Sequence, residues 1–379
     1  MRALCVYVDG GKGHFVPAKT VACELEKKGI DVDLEEFFDY LDIKWIGSLN
    51  KHWWRQMLRM PKFEQRLSHH NDADSNGMEK AIKFAKKHCE RALKSNLEEE
   101  PIDFIFATHP YASTILSEML FDMNLNIPVF YYATDVFNAP VASICDKLSG
   151  YFISTQEGFD RVKAMGQKSD AMELVPFPLQ QEILDSVRLS KEEARTKLGL
   201  DPKLFTIQLN LGGEGIGSIS VIKNLAKQNA DVQIVVIGGM SKKTTKKLNR
   251  IASKLPSNVK LYIRGFISDV STYLYASDVI VGRAGINTIV EAIYAHRPFI
   301  ITELVYTVIP SADYIEKYNI GWNCANGKKN ATDVLLDLIN NPLKMEEVES
   351  NFNLVPIEFS PEKVADILFD RVSKNKKDA

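Results

Sequence analysis

Val8-Asp9-Gly10-Gly11-Lys12-Gly13-His14 and Asn210-Leu211-Gly212-Gly213-Glu214-Gly215-Ile216-Gly217 are the two stretches whose reading decides the fold. Each follows a short apolar run, 3–8 in the first case and 205–210 in the second, and each leads into a longer amphipathic segment. Strand, glycine turn and helix in that order open a parallel βαβ unit. Two such openings, roughly half the chain apart, imply two domains of one kind.

Working outward, β-branched and aromatic runs alternate with helical periodicity along the whole chain. Strands are expected at 3–8, 32–37, 104–108, 129–133, 151–154 and 172–175, then at 205–210, 233–237, 260–263, 279–281 and 299–301, with helices between them, for example at 17–28 and 78–96. The fold class is therefore α/β, as two Rossmann-like domains whose glycine turns face a central cleft. Val175-Pro176-Phe177-Pro178-Leu179 is the seam, because two prolines favour extended backbone. The expected domains are 1–178 and 179–360, with 361–379 as a C-terminal helix and basic tail. A length of 379 residues agrees, being beyond what one core usually supports.

Composition narrows the class. Forty-seven Lys and Arg against 49 Asp and Glu leave a net charge of −2, which disfavours a generally basic nucleic-acid binder. Cys5, Cys23, Cys89, Cys145 and Cys324 are scattered without a C-x-x-C pair, as suits buried thiols in a reducing cytosol and not a zinc site. The apolar run at 3–8 is cut by Asp9 and is too short for a signal sequence, and no stretch approaches the ~20 apolar residues of a membrane span. The cytoplasm is the expected compartment.

Glycine turns ahead of helices bring backbone N–H groups and the positive helix end to an anion, and phosphate is the obvious one. Neither turn completes G-x-G-x-x-G. Asp31 and Asp33, about 20 residues after the first turn, keep a dinucleotide-binding dehydrogenase reading open. Asp31-Val32-Asp33 and Asp72-Ala73-Asp74 also spell D-x-D, but helix dipoles and amides can stabilise a diphosphate without metal, and no metal is expected.

The most informative stretch runs from Arg264-Gly265-Phe266-Ile267-Ser268-Asp269 through Val281-Gly282-Arg283-Ala284-Gly285-Ile286-Asn287-Thr288-Ile289-Val290-Glu291-Ala292. Ala284-Gly285 opens a helix whose first amides can hold a diphosphate, with Thr288 in its first turn. Glu291, two turns in from Gly285, can accept both ribose hydroxyls. This pattern resembles the carboxyl-terminal domain of lipid-acceptor glycosyltransferases of the two-Rossmann (GT-B) fold: monogalactosyldiacylglycerol synthase, the processive diacylglycerol glucosyltransferases and the N-acetylglucosaminyltransferase of peptidoglycan lipid II synthesis. The first turn, with Gly11, Gly13 and His14, resembles that family's acceptor loop. Gly212, Gly213 and Gly215 resemble its donor-phosphate loop. The resemblance implies a UDP-sugar donor, a lipid acceptor, no bound cofactor, and Phe266 and Ile267 flanking the uracil. It makes 1–178 the acceptor- and membrane-binding domain and 179–360 the UDP-sugar domain.

His14 and Asp135 are the candidate catalytic residues. His14 ends the first turn with a side chain suited to proton transfer. Asp135, in Tyr132-Ala133-Thr134-Asp135-Val136, follows another strand, and the lipid galactosyl- and glucosyltransferases carry Thr-Asp there. The chain departs from that family in two places. Phe137-Asn138 stands where a His and a Trp follow Thr-Asp, and Glu303 to Pro310 lacks the Gly-Gln-Glu that contacts the donor sugar, with Glu303 or Thr307 as the candidates to substitute for it.

Segment 44–66 holds Trp45, Trp53 and Trp54 with Lys44, Lys51, Arg55, Arg59, Lys62 and Arg66 against Glu64, a local charge of +5 inside a first half that is net acidic. Indole rings favour the lipid-water boundary and cations an anionic leaflet. The expectation is peripheral contact with an anionic membrane surface, on the inner face of the cell membrane, through Trp45, Trp53, Trp54, Arg55 and Arg59; nucleic acid is not an expected partner. The leading function is transfer of a hexose from a UDP-sugar to a lipid, diacylglycerol first, by inverting displacement. Alternatives are transfer to a lipid-linked sugar diphosphate, a soluble UDP-sugar epimerase, and a homologue that binds UDP-sugar or lipid without turnover.

Overall fold

Phe104–Ala107, Val129–Tyr132, Gly150–Ile153 and Val232–Ile237 are buried at every position, without the alternation of a strand that has one wet face. Runs of this kind belong to parallel sheets covered on both faces. A computed structural model of the chain describes residues 1–10, 12–72, 76–211 and 219–378. It divides into two units, 1–181 with 356–379, and 182–355.

The first unit contains β1 (Arg2–Tyr7), β2 (Asp31–Glu36), β3 (Phe104–Ala107), β4 (Val129–Tyr132), β5 (Gly150–Ile153) and β6 (Met172–Leu174), all parallel, in the order β2-β1-β3-β4-β5-β6. Strand alternation sends aromatic rings to both faces. Tyr131 meets Tyr151 edge-on at 5.0 Å on one side, and Phe130 stacks on Phe152 at 5.9 Å on the other. Such pairs add about 0.5–1.5 kcal/mol beyond their buried area. Two phenols find hydroxyl partners, Tyr132 with Ser154 at 2.6 Å and Tyr151 with Ser143 at 2.7 Å.

The second unit contains β7 (Phe205–Asn210), β8 (Val232–Ile237), β9 (Val259–Gly265), β10 (Val279–Arg283), β11 (Phe299–Glu303) and β12 (Gly321–Asn323), in the order β12-β11-β10-β7-β8-β9. This is the doubly wound order, with its switch point between β7 and β10; in the first unit the switch lies between β1 and β3. Buried Asp278 accepts from Arg195 at 2.5 Å and from the Thr206 amide at 2.6 Å, which fixes the start of β10 beside that of β7. Strand β12 has no counterpart in the sequence reading.

Residues 356–379 return to the first unit, so the second ends at 355 where sequence had put its end at 360. The Phe177 amide donates to Glu358 O at 2.7 Å, Lys28 pairs with Asp366, and Arg371 reaches Glu173 at 2.6 Å. The helix expected at 78–96 is two, Asn76–His88 and Glu90–Glu99, broken at Cys89.

Gly158, in helix Gln156–Ala164, sets how closely that helix approaches the loop after β4. A Cβ there would lie 2.1 Å from Val136 O and 2.5 Å from Ile153 Cδ1. Gly158→Ala is expected to lower unfolding free energy by about 1–3 kcal/mol, the usual cost of overpacking, as read by denaturant titration. Unchanged stability would show that the helix is free to back away.

Candidate functional site

In a parallel sheet the carboxyl ends of neighbouring strands lie side by side, and at a switch point two of them open toward ligand. In the first unit these are β1 and β3. Helix Lys12–Lys27 starts right after the glycine turn, so Gly13 and His14 sit in its first turn; Gly11 lies outside the described residues. Across the switch point, His14 Nδ1 is 2.7 Å from Thr108 O and 2.8 Å from Thr134 Oγ1, while Thr108 Oγ1 donates to His14 O at 2.9 Å. A carbonyl can only accept, so the proton is on Nδ1 and the lone pair on Nε2. Burial holds the imidazole neutral, with its pKa pushed down to about 4.

Asp135 follows Thr134 at the end of β4. Its carboxyl has no hydrogen-bond or ion-pair partner among the described residues, and burial alone pushes its pKa up to about 7. His109, beyond β3, stands edge-on to His14 with ring centroids 4.5 Å apart. The edge therefore presents two neutral imidazoles and a carboxyl that keeps its proton to near neutrality.

The acids offered for a dinucleotide ribose are elsewhere. Asp31 and Asp33 begin β2, at the opposite edge from the glycine turn, and Arg2 pairs with Asp33 at 2.8 Å. The acid at the carboxyl end of β2 is Glu36, and its oxygens accept from the amides of Asp9, Phe38 and Asp39. The dehydrogenase reading loses its residue. Of the second D-x-D string, Asp72 accepts from Arg161 and the Val141 amide, and Ala73 and Asp74 lie outside the described residues.

In the second unit, Gly212, Gly213 and Gly215 lie outside the described residues. The rest of the switch point is formed by Asn210 at the end of β7 and Arg283-Ala284-Gly285 after β10. Gly282 allows the two strands to close, since a Cβ would come 2.6 Å from Asn210 O. Helix Ile286–Tyr294 begins at Gly285 with no side-chain cap hydrogen bond, so its positive end faces the switch point. Thr288 accepts from Asn210 Nδ2 at 3.3 Å, and Glu291, half-buried, lies one turn further on the same face. Phe266, 66% exposed, follows the turn made by Gly265 at φ +73°. Ile267 beside it is half-buried. Glu303 is held by Arg283 at 2.8 Å, and Thr307 sits half-buried in a 3-10 turn.

Segment 44–66 forms helix Lys44–Met57 and most of helix Pro61–Asn71. Trp45, Leu49 and Trp53 recur every four residues and are 61%, 60% and 55% exposed, and Met60 and Phe63 further along the chain are exposed as well. Arg55 and Arg59 are exposed. Trp54 is half-buried and apart from that stripe, and Lys51 pairs with Asp9 of the glycine turn. No described helix is long and apolar enough to cross a membrane.

Residues 219–366 match the glycosyltransferase family 28 C-terminal domain. Among curated proteins, monogalactosyldiacylglycerol synthase of Spinacia oleracea is 27% identical over 225 residues, covering 57% of this chain and 42% of that protein. The chain thus spans about two-fifths of the length of the first such relatives. Processive diacylglycerol β-glucosyltransferase of Staphylococcus aureus is 21% identical over 369 residues, covering 96% of this chain and 90% of that protein. Of solved structures, Acinetobacter baumannii MurG superposes with a TM-score of 0.64 at 14% identity, covering 97% and 99% of the two chains. The UDP-GlcNAc 2-epimerase of Neisseria meningitidis gives 0.63 at 13%, covering 99% and 100%. At such identities the likeness shows the fold, the two Rossmann-like domains of GT-B proteins.

The family 28 match takes in Phe266 and Ile267 after β9, Ala284 and Gly285 after β10, and Thr288 and Glu291 in the following helix. Sequence reasoning passed over Thr108, His109 and Thr134, although Thr108-His109-Pro110 carries the same strand-end signal that singled out Asp135. Burial shifts His14 and Asp135 in opposite directions. His14 is expected to titrate by NMR near pH 4. Asp135 keeps its proton longer folded than unfolded, so its contribution to stability is present at low pH and is lost as pH rises from 3.8 through about 7. Relative to Asp135→Asn, the wild-type protein should lose stability across that window in urea titrations; parallel curves would mean that Asp135 has an ordinary pKa.

Proposed function

We propose that the protein transfers a hexose from a UDP-sugar to the hydroxyl of a membrane lipid, with diacylglycerol as the leading acceptor. The observation that carries this reading is the end-to-end match to a processive diacylglycerol β-glucosyltransferase, 96% of this chain against 90% of that protein. In this reading the first unit binds the acceptor at the His14 edge and the second binds UDP-sugar around Glu291. The exposed Trp45, Leu49 and Trp53 stripe rests at the lipid-water boundary on the cytoplasmic face.

The step is a single inverting displacement. The acceptor O–H gives its proton to Nε2 of His14 as the oxygen forms its bond to the sugar C1. The bond from C1 to the diphosphate breaks, and its electron pair leaves with UDP. Thr108 O holds the Nδ1 proton throughout, so the ring accepts at Nε2 alone. The amides at the start of helix Ile286–Tyr294 stabilise the departing charge.

The first test is incubation of the purified protein with labelled UDP-glucose or UDP-galactose and diacylglycerol vesicles. Glycolipid product is expected, and its absence with both sugars, for diacylglycerol and for lipid-linked sugar diphosphate, would overturn the reading. His14→Ala should slow transfer by about 10²–10⁴. The acid limb of kcat/KM separates the two candidate bases. With His14 as base the rate is expected to hold from pH 8 down to about 6, given its pKa of about 4; a fall beginning near pH 7 would transfer the role to Asp135.

Glu291→Ala should weaken UDP binding by about 1–3 kcal/mol in calorimetry. Undiminished affinity would remove Glu291 from the site. The epimerase superposition supports a second reading, a UDP-sugar epimerase, which has no use for a lipid-facing stripe. Vesicle flotation decides: binding that is lost on replacing Trp45 and Trp53 supports the transferase, and no binding by the wild-type protein supports the epimerase.

A further inference from the structure

His109 stands beside His14 with its proton on the other nitrogen. It caps helix Pro110–Asp122, and its Nδ1 accepts the N–H of Tyr111 at 3.2 Å, so its own proton is on Nε2. The Tyr111 ring stacks on it at 5.5 Å and 23°, which fixes its plane. His14 is the reverse case, with the proton on Nδ1 and the lone pair on Nε2. Two half-buried imidazoles of opposite tautomer thus meet edge-on at 4.5 Å, at the switch point of the first sheet.

We propose that His109 binds the acceptor, its Nε2–H donating to a lone pair of the same hydroxyl oxygen whose proton goes to Nε2 of His14. This rests on the acceptor reading of the first unit and sharpens it to a substrate class. A free alcohol has both a hydrogen to give and a lone pair to receive, so it satisfies both rings. An ester or ether oxygen satisfies His109 alone. A phosphate oxygen meets the lone pair of His14 and is repelled. Each ring is kept uncharged by burial, and His14 adds to that effect at His109, so the pair offers an anion no net positive charge. The site therefore selects a lipid ending in a hydroxyl over one presenting a phosphate.

The test uses variants that keep the helix cap. His109→Asp retains an acceptor for the Tyr111 amide but presents no N–H, whereas His109→Asn retains both. His109→Asp should raise the acceptor KM by about tenfold with the UDP-sugar KM unchanged, and His109→Asn should recover much of the loss. An unchanged acceptor KM in His109→Asp, or equal damage to donor and acceptor kinetics in both variants, would overturn the proposal. An independent measurement is ¹⁵N NMR of the histidine rings of the full chain titrated with dioctanoylglycerol. Shifts at Nε2 of both His14 and His109 are expected, and unmoved rings would refute the proposal. A wild-type protein whose rings respond to the alcohol yet which makes no glycolipid would instead refute the transferase reading.

Discussion

Parallel pairing of β1 with β3, Ala3 opposite Phe104 and Val6 opposite Ala107, is the constraint on which the first-unit site depends. It places the end of one strand beside the end of the next, so a histidine in the first turn of the helix after β1 finds the carbonyl that ends β3. That carbonyl chooses the tautomer. Strand β4, the next neighbour, adds Thr134 to the same ring and Asp135 beside it. None of this needs a dedicated loop, because register alone brings three strand ends to one edge. The second unit uses the same device with β7 and β10, where Gly282 permits the approach and an uncapped helix follows.

The price of that placement is two ionisable groups held away from their ordinary states. His14 resists protonation, so its cost appears as pH falls from its ordinary 6.5 toward 4. Asp135 resists ionisation, so its cost appears as pH rises toward 7. The two penalties oppose one another, and neither is relieved by a salt bridge among the described residues. Groups perturbed mainly by burial are poor choices for stability and good ones for chemistry, which is the reason for proposing the acceptor chemistry at this edge.

Much of this was legible because a parallel sheet writes its strands as unbroken apolar runs and its ligand-binding turns as glycines. His14, Asp135 and the 284–291 helix start could be located by following each run to its end. What was hidden has a common cause: it depends on partners far apart in the chain. Phe177 pairs with Glu358 and Lys28 with Asp366, and no local pattern foretells that the last helix closes the first unit. Asp31 and Asp33 had the right spacing for a ribose, but lie at the wrong end of β2 and face Arg2. The roles of Thr108 and His109 rest on which ring nitrogen holds a proton, and that is settled by a carbonyl in one case and an amide in the other.

Helix Lys44–Met57 joins the exposed stripe to the glycine turn, and the strengths of its anchors say how. Lys51 pairs with Asp9, yet the two side chains are 42% and 46% exposed, and such a surface pair is worth about 0–1 kcal/mol. At the far end of the helical segment, Asp72 is 8% exposed and takes Arg161 at 2.8 Å and the Val141 amide at 2.7 Å. The Asp72 pair is therefore the stronger of the two, and the first helix is also packed on the body, through buried Met57 and through Gly47 against Phe38. The segment thus carries a buried ion pair at its far end and an exposed one at the turn, with Trp45, Leu49 and Trp53 still exposed between them.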